Sequence, residues 1–385
     1  IRRDTSWDGY LNVTVTLTGG GTGSDTVRMR MSPVMLSHHV QDATNIYVTS
    51  FNSSSSQLFR TDMSAACTQG GSAYAELTGL NDQWTQDFFE TGYVAMPATG
   101  GAQKLIRVYF RSANYTTSGL RQAGKVVYTY FQGKETVPPY SYAGKSYPLG
   151  RILRGSVPSF YPDQSFEAML TAQGMQPQIF LDTSWLAVGH VDETLSFVKV
   201  ASPRGWVMLA NDAALAKTML QNAQTQGYGS TPMFVGKTWS GGASAQTTIS
   251  AVLADANVMG PSNEAITEVN AQIATMKAET GITDAEIVKI PFLHWKTGGY
   301  SVAYQPGTVN LTYVGPKTVA VPKPYGPKIN NIDIFEDQMV KALAPYGISV
   351  KFVEDWDLYH RLLGEVHCGS NADRAVTTKW WETGK

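Results

Sequence analysis

Three short segments of the chain concentrate reactive side chains among apolar neighbours. They are NDQWTQDFFETGY (81–93), DTSWLAVGHVDETLSF (182–197) and LLGEVHCGSN (362–371). The third segment holds Cys368, one of only two cysteines in 385 residues. In the second, one residue separates His190 from Asp192, so a strand would place both on one face. In the first, Trp84 and Asp87 are near enough to put an indole and a carboxylate into one pocket.

Each of these residues also has a purely structural interpretation. A lone cysteine is most often a small buried hydrophobe, and a bridge from Cys67 to Cys368 is compatible with the sequence. His190 beside an aspartate can be a polar pair at a strand end, and Trp84 can be core. The six histidines show no CxxC or HExxH spacing, which argues against a Cys/His metal site. His367, next to the cysteine, would point away from the thiol on an extended backbone.

Taken together, the same residues suit one reaction. A thiol, an imidazole and two carboxylates can attack a planar cation such as a guanidinium. The N–H groups of a guanidinium pair bidentately with carboxylates, and its flat face stacks on tryptophan. Asp87 and Asp192 would hold its nitrogens while Trp84 lies along its face. Cys368 would then attack the central carbon, and His190 would protonate the departing ammonia.

Strands and helices interleave along the chain without a regular strand–helix alternation. Apolar patterning predicts strands, the first of them half-buried, at 11–17, 26–31, 45–50, 92–96, 104–110, 125–131, 177–181, 206–210, 309–314 and 348–353. Helical periodicity predicts helices at 212–224, 263–279 and 331–347. Polar runs at 52–56 and 236–246 predict surface loops. No glycine-rich phosphate loop joins a strand to a helix, so a Rossmann or P-loop fold is not indicated.

The composition is that of a globular protein without a polyanion-binding bias. Apolar residues make up 43% and charged residues 16%, with a net charge of -1, so we expect no nucleic-acid partner. No run of about 18 apolar residues occurs, so we expect no membrane span. The start at Ile1 fits a mature or trimmed product. Low lysine content and 19 tyrosines favour a secreted protein. So do the N-x-S/T triplets at Asn12, Asn52, Asn114 and Asn310.

The reactive segments also resemble a known family, the protein-arginine deiminases of the pentein superfamily. The segments that carry the resemblance are collinear and are WTQDFFETGYVAMP (84–97), YPLGRIL (147–153), SWLAVGHVDETLSFV (184–198), VPKPYGP (321–327), YHRLLGEVHCGSN (359–371) and KWW (379–381). The resemblance implies an α/β fold, a five-bladed α/β propeller with its active site in the central channel. It implies a secreted, microbial or fungal-type member. Residues 1–26 would be the strand remnant of an immunoglobulin-like domain, and residues 27–385 the pentein catalytic domain.

The family's reaction and site residues carry over as expectations. The reaction would be hydrolysis of peptidyl-arginine to peptidyl-citrulline and ammonia through a covalent thiouronium (amidino-thioether) intermediate on cysteine. The partners would therefore be arginine-containing peptides or proteins. The implied catalytic residues are Asp87, His190, Asp192 and Cys368. The implied substrate-binding residues are Trp84, Val188 and Val366, with Arg111 and Arg121 as candidates to hold the substrate backbone.

The resemblance further implies one calcium ion, Ca2+. Its ligands would be the side chains of Gln86, Glu90 and Glu135 and the carbonyl groups of Phe131 and Lys134, all of them the oxygen donors that this hard cation prefers. At the family's adjacent second calcium site, the acidic ligands fall on Phe88 and Arg111. We therefore expect that second site to be lost, and strict activation by calcium is not expected.

Other functions remain open at the level of sequence. Within the superfamily, the alternative is a deiminase of free arginine or a small guanidine. A papain-like or transglutaminase-like enzyme also uses Cys, His and Asp, but needs no paired carboxylates for a cation. A non-catalytic arginine-binding module is a third alternative, although every reactive side chain is present. On the deiminase hypothesis Cys67 has no role and is expected to be a free buried thiol.

Overall fold

Helices and short strands alternate in groups, which confirms the α/β class. The computed structural model describes residues 7–111, 135–157 and 164–384. The helices of these residues are α1 (Ser54–Gly70), α2 (Gln164–Gln173), α3 (Ala213–Ala223), α4 (Ile249–Ala254), α5 (Ala256–Thr280) and α6 (Ile334–Leu343). No described helix is both long enough and apolar enough to cross a membrane.

Most strands of the described residues are short. They are β1 (Tyr10–Leu17), β2 (Gly23–Arg30), β3 (Val34–Leu36), β4 (Ala43–Thr49), β5 (Ala73–Leu77), β6 (Phe89–Pro97), β7 (Gln103–Arg111), β8 (Glu135–Val137), β9 (Tyr140–Tyr142), β10 (Lys145–Tyr147), β11 (Arg151–Ser156), β12 (Gln178–Asp182), β13 (Leu195–Lys199), β14 (Trp206–Asp212), β15 (Pro232–Met233), β16 (Thr247–Thr248), β17 (Ile287–Pro291), β18 (His294–Thr297), β19 (Tyr300–Ala303), β20 (Thr312–Gly315), β21 (Thr318–Pro322), β22 (Lys328–Ile329), β23 (Ile332–Asp333), β24 (Ser349–Val353) and β25 (Ser370–Arg374).

Five sheets of three strands organise the described residues. In four of them, the central strand pairs antiparallel with one neighbour and parallel with the other: β25-β4-β5, β8-β11-β12, β13-β14-β17 and β20-β21-β24. A parallel pair needs a crossover, and helices supply it in each sheet: α1, α2, α3 to α5, and α6 respectively. The fifth sheet, β3-β6-β7, is antiparallel throughout. Because each of these four sheets combines an antiparallel pair with a helical crossover, the sequence shows no simple alternation.

One of these sheets joins the two ends of the chain. Strand β25 pairs antiparallel with β4, with Ser370 opposite Val48 and Asn371 opposite Tyr47. The segment that carries Cys368 immediately precedes β25 and therefore lies beside a strand from the first 50 residues. Strand pairing of residues more than 300 positions apart thus fixes where the thiol sits.

The three predicted helices are confirmed. They correspond to α3, to α5 and to α6 with its short 3-10 extension to Tyr346. Asp333 caps α6 by accepting hydrogen bonds from two backbone N–H groups, and the helical segment ends at Gly347 with a φ of 66°. The predicted strand at 309–314 begins only at Thr312, because residues 307–311 form a turn in which the Asn310 N–H donates to the carbonyl of Gly307. The predicted strand at 125–131 lies outside the described residues.

The predicted surface loop at 52–56 is wrong in part. The Ser53 hydroxyl accepts a hydrogen bond from the backbone N–H of Ser56 and so caps α1, which begins at Ser54. Serine is a preferred N-cap residue because its side chain satisfies an N–H group that has no partner within the helix. Further along the helix, Phe59 and Met63 lie one turn apart and are fully buried. The serine run therefore starts a helix whose apolar face packs into the core.

The first predicted strand is correct in position, but it is not half-buried. Strands β1 and β2 form a separate two-stranded hairpin. Its alternating apolar residues share one face and are 41–66% exposed: Leu11, Val13, Val15, Leu17, Val27 and Met29. A period of two predicts a strand with two different faces, but it does not report whether another element covers the apolar face.

Candidate active site

The thiol of Cys368 is held in a tight turn rather than on a strand. In this turn the Gly369 N–H donates to the carbonyl of Glu365 at 3.0 Å, and the Ser370 N–H donates to the carbonyl of His367 at 3.1 Å. The side-chain oxygen of Asn310 accepts from the backbone N–H of His367 at 3.0 Å, and the Cys368 thiol points to it at 3.6 Å. Cys368 is 9% exposed. The fold therefore fixes the position of the sulfur.

His190 and Asp192 lie on a 3-10 turn, and not on a strand as the spacing predicted. The turn spans Val191–Glu193, with His190 as its N-cap residue. The His190 N–H donates to the carboxyl of Glu193 at 2.7 Å. Nδ1 of His190 nevertheless lies 4.0 Å from Oδ1 of Asp192.

Asp192 is a buried carboxylate with one oxygen satisfied and one left open. Its Oδ2 accepts from Nδ1 of His367 at 2.6 Å and from the Asn310 amide at 2.9 Å. Burial alone would raise its pKa, but the hydrogen bond from His367, together with the positive character of His367 and His190, lowers it to about 2. Its Oδ1 is buried and has no hydrogen-bond partner. Because this oxygen is ionised and accepts no hydrogen bond from the protein, it can pair with a bound cation.

The thiol, the imidazole and the open carboxylate meet at one point. Sγ of Cys368, one ring nitrogen of His190 and one oxygen of Asp192 all lie within 4.8 Å of one another. Burial, and next the negative charge of Asp192, raise the pKa of the Cys368 thiol well above its usual value. The free protein therefore holds a protonated thiol beside an ionised carboxylate. Val188 and Gly364 line the pocket that opens beside this group.

The segment with Trp84 and Asp87 is tied directly to the nucleophile turn. The Gln86 N–H donates to the carbonyl of Cys368 at 3.1 Å. Asp87 ends the 3-10 turn Thr85–Asp87 and is only partly exposed. Burial raises its pKa to about 6; His190 acts against this rise, and Asp82 and Asp192 add to it. The site thus gathers a second carboxylate close enough to interact with His190 and Asp192.

The Trp84 ring packs against the loop that leads to the nucleophile. A Cβ atom placed on Gly364 would lie 2.2 Å from Cζ3 of Trp84, so that only glycine fits there without movement. The Trp84 and Tyr359 rings are 5.5 Å apart between centroids. The structure therefore brings His190, Asp192 and Cys368 together and ties the segment of Trp84 and Asp87 to the nucleophile turn, while the roles of these five side chains stay predictions.

Comparison with known proteins decides the family. The family description "Protein-arginine deiminase (PAD)" matches residues 22–382, which is most of the chain. The chain belongs to the protein-arginine deiminase family. Mouse protein-arginine deiminase type-1 is 30% identical over 412 residues, covering 99% of this chain and 61% of the relative. Rat type-4 is 31% identical, covering 93% of this chain and 56% of the relative.

These deiminase relatives are considerably longer than the chain, which spans about three fifths of mouse type-1. Among solved structures, C. jejuni agmatine deiminase aligns with a TM-score of 0.45 and 11% identity, covering 90% of this chain and 97% of that chain. A second structure of that deiminase, with substrate bound, gives 0.48 and 11%, covering 89% of this chain and 96% of that chain. At 11% identity and TM-scores below 0.5, these structures do not indicate the function of the chain, and the family assignment depends on the sequence comparisons.

The predicted substrate-contacting valines of this deiminase-family chain lie in different surroundings. Val188 is half-buried and lines the pocket beside Cys368. Val366 is fully buried and packs in the hydrophobic core with Val48 and Val353. Of the two arginines predicted to hold a substrate backbone, Arg121 lies outside the described residues, and only the backbone of Arg111 is described, at the end of β7.

The predicted calcium ligands are only partly described. Gln86 and Glu90 line one polar pocket, on which Ser37, Thr91 and Asn371 also border. These side chains offer the oxygen donors that a hard cation prefers. The same pocket is also lined by Arg374, His39 and His367, which offer positive charge or nitrogen instead, so the lining fits calcium only in part. Phe131 and Lys134 lie outside the described residues, as does the side chain of Glu135. Phe88, at the expected position of the lost second site, is 3% exposed and packs in the interior.

Sequence reasoning missed three side chains of the site. His367 was expected to point away from the thiol, yet the turn lets it reach Asp192, and its Nε2 lies 3.0 Å from Nε2 of His39. Asn310 connects Asp192 with the nucleophile turn. Glu193 lines the pocket, and burial raises its pKa to about 8. The HxDE and EVHC runs are visible in the sequence and could have drawn attention to Glu193 and His367. A single sequence does not show, however, which side chains more than 100 positions apart come into contact.

The structure also settles the state of the cysteines and of one glycosylation triplet. Cys67 and Cys368 are both free, and Cys67 is fully buried in α1. Burial raises the pKa of the Cys67 thiol to about 11. Asn310 is 2% exposed and donates its amide to Asp192, so its triplet is not a surface acceptor in the folded chain. Asn12 and Asn52 are exposed, and secretion stays a prediction.

Proposed function

We propose that the protein hydrolyses the guanidinium group of arginine residues in peptides, giving citrulline residues and ammonia. The observation that carries the proposal is the Asp192 carboxylate, one oxygen of which lies within 4.8 Å of the Cys368 thiol and the His190 imidazole. Its Oδ1 is buried without a hydrogen-bond partner and lies 4.0 Å from Nδ1 of His190. A carboxylate that lacks a donor favours a ligand with N–H groups and positive charge. Family membership supports the same reaction class, a hydrolase acting on an amidine carbon.

The side chains would act in the following order. Asp192, through Oδ1, and Asp87 accept hydrogen bonds from the guanidinium nitrogens, and Trp84 lies along the cation. The Cys368 thiol gives its proton to His190 as the sulfur bonds to the central carbon, and the C–N bond breaks as His190 passes that proton to the leaving ammonia. Water then gives a proton to His190 and bonds to the same carbon. The C–S bond breaks as His190 passes this proton to the sulfur, which restores the thiol, and the protonated urea group of citrulline releases its extra proton to the ammonia or to solvent.

We also propose that substrate binding activates the thiol. In the free protein, burial and the nearby charge of Asp192 keep the Cys368 pKa high. A bound guanidinium neutralises that carboxylate and stabilises a thiolate next to it. A thiol that alkylates as a thiolate below neutral pH in the free protein contradicts this step.

Calcium would act on the same loop without taking part in the reaction. Gln86 and Glu90 would hold the ion together with the predicted ligands at 131, 134 and 135, and the bound cation would supply charge compensation. Because the Gln86 N–H donates to the Cys368 carbonyl, ordering Gln86 would also steady the nucleophile turn. We further propose that the five three-stranded sheets form the blades of a propeller around this site, with the hairpin β1–β2 outside it.

Mass spectrometry of a blocked arginine peptide tests the reaction. Each converted arginine should gain about one dalton, because an imine N–H is replaced by oxygen, and Cys368→Ala should abolish the gain. An unchanged mass with added calcium and with a chelator would overturn the proposal. The second candidate, a deiminase of free arginine or a small guanidine, is separated by comparing kcat/KM on a blocked arginine ester with that on free arginine.

A further inference from the structure

The three reactive groups of the site are also a set of metal ligands. His190 offers an imidazole nitrogen, Asp192 a carboxylate oxygen and Cys368 a sulfur, all within 4.8 Å of one another. The Oδ1 of Asp192 is buried, lacks a hydrogen-bond partner and faces Nδ1 of His190 at 4.0 Å. A buried ionised oxygen without a donor attracts any cation that fits, whether it is organic or a metal ion.

We propose that His190, Asp192 and Cys368 form an inhibitory site for zinc. Zinc binds nitrogen, oxygen and sulfur ligands at about 2.0–2.3 Å in a tetrahedron, so that its ligand atoms lie roughly 3.3–3.7 Å apart. The observed separations reach at most 4.8 Å, which exceeds this spacing by roughly 1.1–1.5 Å, so the ligands must close in when zinc binds. The His190 ring is half-buried and can rotate toward the ion, and its Nδ1 already lies 4.0 Å from Oδ1 of Asp192. Calcium and magnesium prefer oxygen ligands and would not select a site with a thiolate.

The surroundings of Asp192 resemble the outer shell of a metal site. Its second oxygen, Oδ2, is fixed by His367 at 2.6 Å and by Asn310 at 2.9 Å, so the ligand oxygen is already oriented. Zinc would displace the thiol proton of Cys368 to solvent and form a metal–sulfur bond, with no change of oxidation state. The protein supplies three ligands, and water completes the tetrahedron.

Inhibition of the enzyme by zinc depends on the proposed function, whereas zinc binding itself does not. Zinc and the substrate guanidinium would compete for Asp192 Oδ1, and zinc would also occupy the nucleophilic sulfur. Inhibition should therefore be competitive and reversible by a chelator. A general chelator would remove calcium from the Gln86 and Glu90 pocket as well, so the two metals need separate chelators in any activity assay.

Zinc binding can be measured without substrate. Isothermal titration of the full chain with Zn2+ should give one site, weakened at least 100-fold by Cys368→Ala and by Asp192→Asn. Co2+ should give a thiolate-to-metal absorption band that Cys368→Ala removes. The matched control, Cys67→Ala, should leave both signals unchanged because Cys67 lies buried in α1. Saturating Zn2+ should slow alkylation of Cys368 by iodoacetamide at least tenfold.

The outcomes separate the metal site from the deiminase activity. Protection of Cys368 without turnover of any arginine substrate would keep the zinc site and reject the proposed function. Turnover that is unaffected by zinc, with no protection from alkylation, would reject the zinc site alone. One-to-one binding that survives both Cys368→Ala and Asp192→Asn would place the metal elsewhere and overturn the inference.

Discussion

Replacing Gly364 with alanine tests how closely Trp84 is fitted to the site. The added Cβ would lie 2.2 Å from Cζ3 and 2.7 Å from Cη2 of Trp84. Non-bonded carbons prefer about 3.5–4.0 Å, so the ring would have to move by more than 1 Å. The backbone at Gly364 is not in the left-handed region, so steric overlap alone causes the effect. Overpacking of this kind costs about 1–3 kcal/mol.

The expected result is a loss of activity together with a modest loss of stability. A ring displaced by about 1 Å from a stacked cation can lower the rate up to about 100-fold, so we expect kcat/KM to fall roughly 10- to 100-fold. Gly23→Ala, at the start of β2, is the matched control, because its backbone is also outside the left-handed region and, apart from its chain neighbours, no atom lies within 4 Å of the added Cβ. That variant should keep wild-type kinetics and unfold at the same or a higher temperature.

A double-mutant cycle with Trp84→Phe identifies the cause. The smaller ring should remove much of the overlap, so Gly364→Ala should cost less stability in that background than in the wild type. Steady-state kinetics with the arginine peptide and thermal unfolding supply the two readouts. Unchanged kcat/KM in Gly364→Ala, or an identical stability loss in both backgrounds, would refute the reasoning.

Three further perturbations test other parts of the site. Asn310→Ala removes the amide that donates a hydrogen bond to Asp192. Because a hydrogen bond to a charged group is worth about 1.5–3 kcal/mol, we expect kcat to fall 10- to 100-fold. A variant with wild-type kcat would contradict this role of Asn310. Burial raises the pKa of Glu365 from 4.5 to about 8. The native state thus keeps a proton that the unfolded chain releases, and wild-type stability falls as pH rises through this window, by up to about 1.4 kcal/mol per pH unit. Glu365→Gln should remove the part of that slope that Glu365 contributes, while the buried Asp355 beside it, whose pKa burial also raises, keeps its own part. Urea unfolding should therefore show the variant gaining on the wild type from pH 5 to pH 8; a constant difference would contradict it. Calcium should raise the unfolding temperature of the wild type but not of Glu90→Ala, and an equal shift in both would exclude Glu90 as a ligand.

The sequence predicted which side chains belong to the candidate site better than it predicted how they are arranged. Cys368, His190 and Asp192 stand out because their types fit one reaction, and the structure places them together. The backbone that carries them was predicted less well. The HxD spacing suggested a strand, but a 3-10 turn brings the pair together through the Glu193 cap.

Partners supplied by distant parts of the chain were not predictable. His367 reaches Asp192 across 175 positions, and Asn310 does so across 118. Such pairs arise because parts of the chain far apart in sequence pack around the site, and this packing leaves no local pattern. The same limit explains the exposed hairpin, since alternation predicts two faces but not what covers them. By contrast, α6 was predictable, because its cap, period and terminal glycine are all local signals.

The bond from the Asn310 amide to Asp192 has a consequence for how this chain can be made. Asn310-Leu311-Thr312 is an acceptor triplet, and a sugar would attach to the same nitrogen that donates to the carboxylate. A glycan there has no room in a residue 2% exposed, and it would have to be added before the chain folds. Sugar at this asparagine and a competent catalyst are therefore mutually exclusive in any single molecule. A eukaryotic secretory host would yield an inactive fraction in proportion to the modification at this position, which a bacterial cytoplasm would not.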